Sequence, residues 1–412
     1  MIIHNRIAGL DIGDKHPVRT MGVINLSRES FYKGSITSPE PDSMLQKAWN
    51  MIDEGADIID IGARSTWPLA PVISIEEEKT RIKSALKGIA DNINVPVSID
   101  TMYHEIADVA LSCGADIIND VSGLVNDPMM INTAIDHDCP VIVMATDRIP
   151  GDPIGTDAII VSLERIITNA EHKGIRGQNL IIDPAIGKWV SEKQPMHDFE
   201  TIDNLARLRV LGKPILAAIS RKSCIGEILG KPATERLYGS LAATAIAVRN
   251  GAHIIRTHDV AETIDTIRIA EAIKRRPVVV SESGFEMELV DIGIQKPDDA
   301  MRYMRTIGVT AAGSSVMKNK TRTIILHVKN ITTTEALIIK QEMLARGGDA
   351  ALPRDAVSHE TEHVDAIVIG TVLQVSRLVA KLKGQARNLP IIANMVQQVL
   401  DNIDNVDVRY KL

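Results

Sequence analysis

Two short segments concentrate cationic and titratable side chains: Ser220-Arg221-Lys222-Ser223 and Arg256-Thr257-His258-Asp259. Arginine offers an oxyanion a planar fork, and lysine offers a compact point charge. In a chain of formal net charge −7, this concentration reads as a seat for an anionic group rather than as cations merely paired with nearby acids. A second set is acidic or amide: Asp60, Asp100, Asn119, Asp120 and Asp183. A fixed carboxylate accepts the paired N–H donors of an amidine-like heterocycle edge with charge assistance. Asn supplies both a donor and an acceptor. Capping of the following helix is the plain alternative, and it weighs most for Asp60 and Asp120. Asn25 adds a hard carbonyl oxygen suited to Mg²⁺, an ion that keeps several waters and bridges substrate phosphates. Together these groups describe a pocket for a flat polar heterocycle beside a phosphorylated leaving group, whose developing charge cations and Mg²⁺ would take up. There is no Ser-His-Asp spacing, no G-x-x-x-x-G-K-[ST] loop and no C-x-x-C pair.

These residues stand at the ends of eight short apolar runs, read as strands at 21–27, 57–63, 96–100, 116–121, 140–146, 180–184, 214–220 and 253–259. The run-ending positions are Asn25, Asp60, Asp100, Asn119, Met144, Asp183, Ser220 and Arg256, with Met144 the one apolar ending. The 231 residues from Asn25 to Arg256 fall into seven intervals of about 33, the length of one βα unit. Runs such as Leu180-Ile181-Ile182 do not alternate, as expected of strands covered on both faces. Between them lie helical stripes: Met44-Leu45 with Ala48, Met51 and Ile52 behind Asp42-Ser43, and Leu241–Ala247, opened by Thr234-Glu235 and stopped at Asn250-Gly251. The expected fold is α/β, a (β/α)₈ TIM barrel, which places its chemistry at the C-terminal strand ends and often holds phosphate after strands seven and eight. Residues 1–18 alternate apolar and polar around Gly9, Gly13 and Pro17; they predict a hairpin plugging the barrel floor.

The chain has 412 residues, and one barrel needs roughly 250. The expected division is therefore a barrel over 1–275, a linker to about Phe285, and a smaller α/β domain over 286–412. The clearest strands of that domain are Thr323–Val328 and Ala366–Ile369, and its clearest helix is 333–346, closed by Gly347-Gly348. Arg354, His359 and His363 read as solvated surface. Hydrophobic residues at 45% and charged residues at 24% are ordinary for a globular chain, and aromatics at 3% require an aliphatic core. The acidic balance argues against nucleic acid or an anionic membrane as partner. Cys113, Cys139 and Cys224 read as free thiols in a reducing compartment. The first residues turn polar at once and no apolar run approaches 18 residues, so a cytoplasmic protein without signal peptide or membrane span is expected.

Six ordered segments carry a resemblance to a known family: Met21–Phe31, Gly55–Thr66, Pro96–Thr101, Gly114–Gly123, Ile182–Pro184, and Ser220–Ser223 with Arg256–Val260. Over about residues 10–272 the chain resembles dihydropteroate synthase. The resemblance implies condensation of 6-hydroxymethyl-7,8-dihydropterin pyrophosphate with the amine of 4-aminobenzoate and release of pyrophosphate. It also implies Mg²⁺, with Asn25 as its ligand, and a homodimer paired through outer helices. Carried over by position, Asp100, Asn119 and Asp183 read the pterin, Lys222 bonds its ring and Met144 packs near it. Arg256 and His258 hold pyrophosphate, with Arg256 also stacked on the pterin, and Ser65, Thr66 and Ser223 contact the arylamine side. Lys222, Arg256 and His258 are thus the expected catalytic residues.

The departures cluster on the arylamine side. Ser27-Arg28-Glu29-Ser30-Phe31 replaces Thr-Pro-Asp-Ser-Phe, and Ala63-Arg64-Ser65-Thr66-Trp67-Pro68-Leu69 replaces Gly-Glu-Ser-Thr-Arg-Pro-Gly. Ala145 replaces a His, and Ala185-Ile186-Gly187-Lys188-Trp189-Val190 replaces Gly-Phe-Gly-Phe/Tyr-Gly-Lys. A different arylamine is one implication: the ribosylated, phosphorylated aminobenzene of archaeal methanopterin synthesis, its phosphate met by Arg28, Arg64 and Lys188. Two rival readings are a methyltetrahydrofolate–corrinoid methyltransferase, which needs no pyrophosphate site, and a non-catalytic pterin-binding protein. The C-terminal part is similar to an accessory domain on some long family members, with no role implied.

Overall fold

The computed structural model describes residues 2–26, 41–64, 73–89, 92–274, 279–282, 285–288, 290, 295–354, 356 and 361–402. They form two compact units, Met1–Val290 and Asp291–Leu412.

In the first unit an antiparallel hairpin, β1 (His4–Ile7) and β2 (Leu10–Gly13), precedes the barrel strands. These are β3 (Arg19–Asn25), β4 (Ile58–Gly62), β5 (Val97–Asp100), β6 (Ile117–Asp120), β7 (Val141–Met144), β8 (Leu180–Asp183), β9 (Leu216–Ala218) and β10 (Ile254–Thr257). All eight are parallel, in the order β8-β7-β6-β5-β4-β3-β10-β9. A parallel bridge between Ile182 and Ile215, with the Ile182 N–H donating to the Pro214 carbonyl at 2.9 Å, joins the two ends into a closed barrel. The strands are shorter than the apolar runs; 214–220, for example, contracts to Leu216–Ala218. Helices alternate with strands: α1 (Pro41–Asp53), α2 (Ile75–Ile89), α3 (His104–Ser112), α4 (Met130–Asp136), α5 (Thr156–His172), α6 (Pro195–Asp203), α7 (Ser223–Leu229), α8 (Leu237–Arg249) and α9 (Val260–Ile273). Thr234-Glu235 lies in a 3₁₀ turn ahead of α8 rather than at its first residue.

Side chains along a strand alternate between faces, and here that alternation builds the site. The outward residues, among them Ile59, Ile61, Val97, Ile99, Ile118 and Val143, join the helices in one aliphatic core. The inward residues form layers. The lowest holds Met21, Ile58, Ile117, Ile142, Ile181, Leu216 and Ile254, closed from below by Ile7 and Ile12 of the hairpin. Two residues further along, four of these strands turn polar, at Asp60, Asn119, Asp183 and Arg256, with Asp100 at the same face of β5 and Val23, Met144 and Ala218 staying apolar. The expected floor plug is therefore present. Asp14, just past the hairpin, takes both Arg209 Nη atoms at 2.6 and 2.7 Å and lies 3.5 Å from His253 Nε2, all three being buried or nearly so.

A short antiparallel ribbon, β11 (Val279–Glu282) with β12 (Phe285–Glu288), lies where a plain linker was expected. The second unit is a three-stranded antiparallel sheet, β13 (Thr323–Thr332), β14 (Asp349–Ala351) and β15 (His363–Thr371), with β15 central. Burial alternates strictly along β15, so one face meets a core built from Ile324, Ile339, Val368, Leu378 and their neighbours. Thr333–Leu344 forms the expected helix, opened by a reciprocal Thr332–Glu335 capping box. Arg354 and His363 are exposed, and His359 lies outside the described residues. Cys139 and Cys224 are buried and Cys113 is half-buried, all as free thiols. Among the described residues no helix is long and apolar enough to cross a membrane.

Candidate active site

The mouth of the barrel gathers side chains from five strand ends. Arg256 reaches from β10 across the interior, its Nε donating to Asp60 Oδ2 at 2.7 Å and its Nη2 to Asp100 Oδ2 at 2.8 Å. Asn119 Nδ2 lies 3.3 Å from Asp60 Oδ2, and so completes an Asp60–Arg256–Asp100–Asn119 cluster in which all but the half-buried Arg256 are buried. Burial pushes the Asp100 carboxyl upward, and Arg256 opposes the shift. Asp60 is thus a central acceptor of the cluster and does not cap a helix. Asp120 serves the local turn instead, accepting from Ser122 N, Ser122 Oγ and Leu124 N at 2.7–2.9 Å; burial lifts its carboxyl to about 6.

On the opposite wall Asp183 Oδ1 accepts the Ala185 N–H at 2.7 Å, and burial raises this carboxyl too. Lys222, just before α7, sits near enough that Asp183 and Arg256 both act on its charge; burial lowers its ammonium below the usual lysine range. Its Nζ lies 5.2 Å over the Trp189 ring, within cation–π range. Gly187 makes the approach possible: its φ is +123°, and a Cβ there would stand 3.2 Å from Lys222 Nζ. Met144 ends β7, buried in the layer of Asp183. His258 Nδ1 lies 3.1 Å from Ser220 Oγ. Burial and the surrounding cations, Arg256 and Lys222 first, hold its imidazole down at about 3, so it is neutral at physiological pH. Ser223 opens α7 beside Lys222.

One expectation is corrected. Arg221 does not enter the pocket. At φ +55° it turns away and forks onto Asp259 at 2.7 and 2.9 Å, while its Nη1 donates to the Ala233 and Thr234 carbonyls. Of the two cations after β9, only Lys222 faces the site. Arg64 is committed to Glu78, buried in α2, at 2.8 Å and to the Ile73 carbonyl, and Lys188 faces exposed Glu227 at 3.7 Å. Ser65 and Thr66, with Arg28 and Trp67, lie outside the described residues. Two buried residues escaped the sequence reading: Lys193 and Asp198, paired at 3.2 Å behind the loop after β8. Within Ser191-Glu192-Lys193-Gln194 nothing sets this lysine apart from a solvated one.

Asn25 Oδ1 and Asp100 Oδ2 flank Gly62, each 3.7 Å from where its Cβ would be. These two hard oxygens, on β3 and β5 either side of β4, are donors of the kind taken by a divalent cation that keeps most of its water, and the Asp100 oxygen also accepts from Arg256 Nη2. Among the described residues no cluster of three or more His, Cys, Asp or Glu side chains could form a closed metal cage.

A family model described as pterin binding enzyme matches residues 21–258. The dihydropteroate synthase of Clostridium beijerinckii is 35% identical over 258 residues, covering 62% of this chain and 94% of the relative. The crystal structure of Yersinia pestis dihydropteroate synthase with a sulfonamide drug complex aligns with a TM-score of 0.60 and 31% identity, over 66% of this chain and 98% of that one. The Xanthomonas albilineans dihydropteroate synthase with 4-aminobenzoic acid aligns with a TM-score of 0.58 and 32% identity over the same shares.

Proposed function

Because this chain belongs to the pterin-binding enzyme family and is a dihydropteroate synthase-like transferase, we propose that it joins 6-hydroxymethyl-7,8-dihydropterin diphosphate to an arylamine and releases diphosphate. The observation that carries this reading is the placement of Arg256 and Lys222 against the buried carboxylates Asp60, Asp100 and Asp183 in one pocket. Asp183 and Asn119 present an acceptor and an amide to the polar edge of the pterin. Lys222 donates to the ring from beside Asp183. Arg256 supplies the fixed positive charge that stabilises the departing diphosphate without reorganisation. His258, neutral and held by Ser220, contributes a hydrogen bond rather than a cation. Asn25 would hold Mg²⁺, which supplies charge neutralisation to the diphosphate when bound.

Arylamine choice follows from the cations. With Arg64 on Glu78 and Lys188 on Glu227, two of the three residues expected to meet an added phosphate have partners within the chain. We take 4-aminobenzoate, the ligand of the Xanthomonas structure, as the arylamine. A turnover assay of the purified protein with Mg²⁺, comparing 4-aminobenzoate with a ribosylated aminobenzene phosphate, tests this. Preference for the phosphorylated amine would overturn the assignment, and no diphosphate release with either would overturn the reaction. We also propose that the protein is a homodimer paired through α8 and α9, whose outward faces expose Tyr238, Ile246, Ile269 and Ile273.

A further inference from the structure

The loop after β8 carries two peptide groups that each abut a different group of the site. The Ala185 N–H is bound by Asp183 Oδ1 at 2.7 Å, and Gly187 lies against the Lys222 side chain. Behind the loop stand Lys193 and Asp198, 1% and 2% exposed. Lys193 Nζ donates to the Ala185 carbonyl. Asp198 Oδ1 accepts the Gly187 N–H at 2.9 Å and pairs with Lys193 at 3.2 Å. One partner of the pair therefore fixes the residue that orients Asp183, while the other fixes the residue that admits Lys222. We propose that Lys193 and Asp198 are positioning residues that set the spacing between Asp183 and Lys222, and thereby the affinity of the site for the pterin ring.

A buried ion pair is a weak net stabiliser, because desolvation offsets its attraction. Its distinctive contribution here is directional, since each charge meets one specific peptide group. Ala185, at φ +59°, stands in the left-handed region that a non-glycine residue seldom adopts, so the surrounding bonds must hold it. Asp198 also lies in the first turn of α6, where the helix dipole favours a negative charge.

The proposal rests on the reading of the pocket as a pterin diphosphate site. Its test uses full-length Lys193→Met, Asp198→Asn and the double variant, whose buried charges again balance. Steady-state kinetics, calorimetric binding of the pterin diphosphate alone, and thermal melting are compared with wild type. Loss of ring positioning should raise KM and Kd for the pterin diphosphate by about tenfold or more, with kcat and the arylamine KM within about threefold, the pattern of lost uniform binding. Folded variants that keep the wild-type KM and Kd would overturn the proposal. Failure of all three to fold would overturn it too, by assigning the pair to folding alone. If wild type itself neither binds nor turns over the pterin diphosphate, the underlying reading falls with it; unaffected variants beside an active wild type sink only the positioning role.

Discussion

Arg256 is the residue on which most of the pocket's electrostatics converge. It is the shared partner of Asp60 and Asp100, whose carboxylates are otherwise removed from water. Removing one partner of a buried ion pair strands the other charge, at about 3–5 kcal/mol. Arg256→Ala should therefore lower turnover by about 100-fold or more, as loss of a preorganised charge does, and also destabilise the fold. The stability loss should be larger at pH 8 than at pH 6, because a stranded carboxyl already raised by burial can take up a proton at the lower pH. Urea titrations at the two pH values check this; an equal loss at both would remove the carboxylates from the account. Lys222 faces Asp183 without a comparable double commitment, so its truncation should spare stability more than activity.

At the scale of elements, the hairpin and its anchor make the clearest expectation. Asp14 binds Arg209 through both oxygens and faces His253. Those partners hold its carboxyl far below the usual range, while burial lowers the His253 imidazole. The unfolded chain binds protons on both groups more readily than the folded one, so stability falls as pH falls. For His253 the loss begins as pH drops through about 6.5, and for Asp14 below about 4. Asp14→Asn should cost about 3 kcal/mol at pH 7 and flatten the acid limb, as read from denaturation midpoints across pH 3–7; an unchanged acid limb would reject the anchor. The barrel itself was legible because polar residues at strand ends break aliphatic runs at the βα period. The direction of individual side chains was not. Arg221 and Lys222 are adjacent, and only the left-handed turn at Arg221 sends one to Asp259 and the other to the pocket. Glu78, one of three consecutive glutamates in the first turn of α2, is buried and holds Arg64 and Thr101. Such long-range pairings leave no local pattern.

The whole molecule adds an assembly question. Tyr238 is 80% and Ile269 65% exposed on the outer helices, large apolar groups that a partner surface would cover. If the proposed pairing holds, wild type should sediment at twice the chain mass, and the joint Tyr238→Glu and Ile269→Lys variant as a monomer. A wild-type monomer at micromolar concentration would refute the pairing. One last consequence follows from Ile7 and Ile12, which seal the barrel from below. A tube stoppered at one end has a single doorway. Whatever reaches Asp60, Asn119 and Asp183 comes in, and goes out again, past the rim that carries His258 and Ser220.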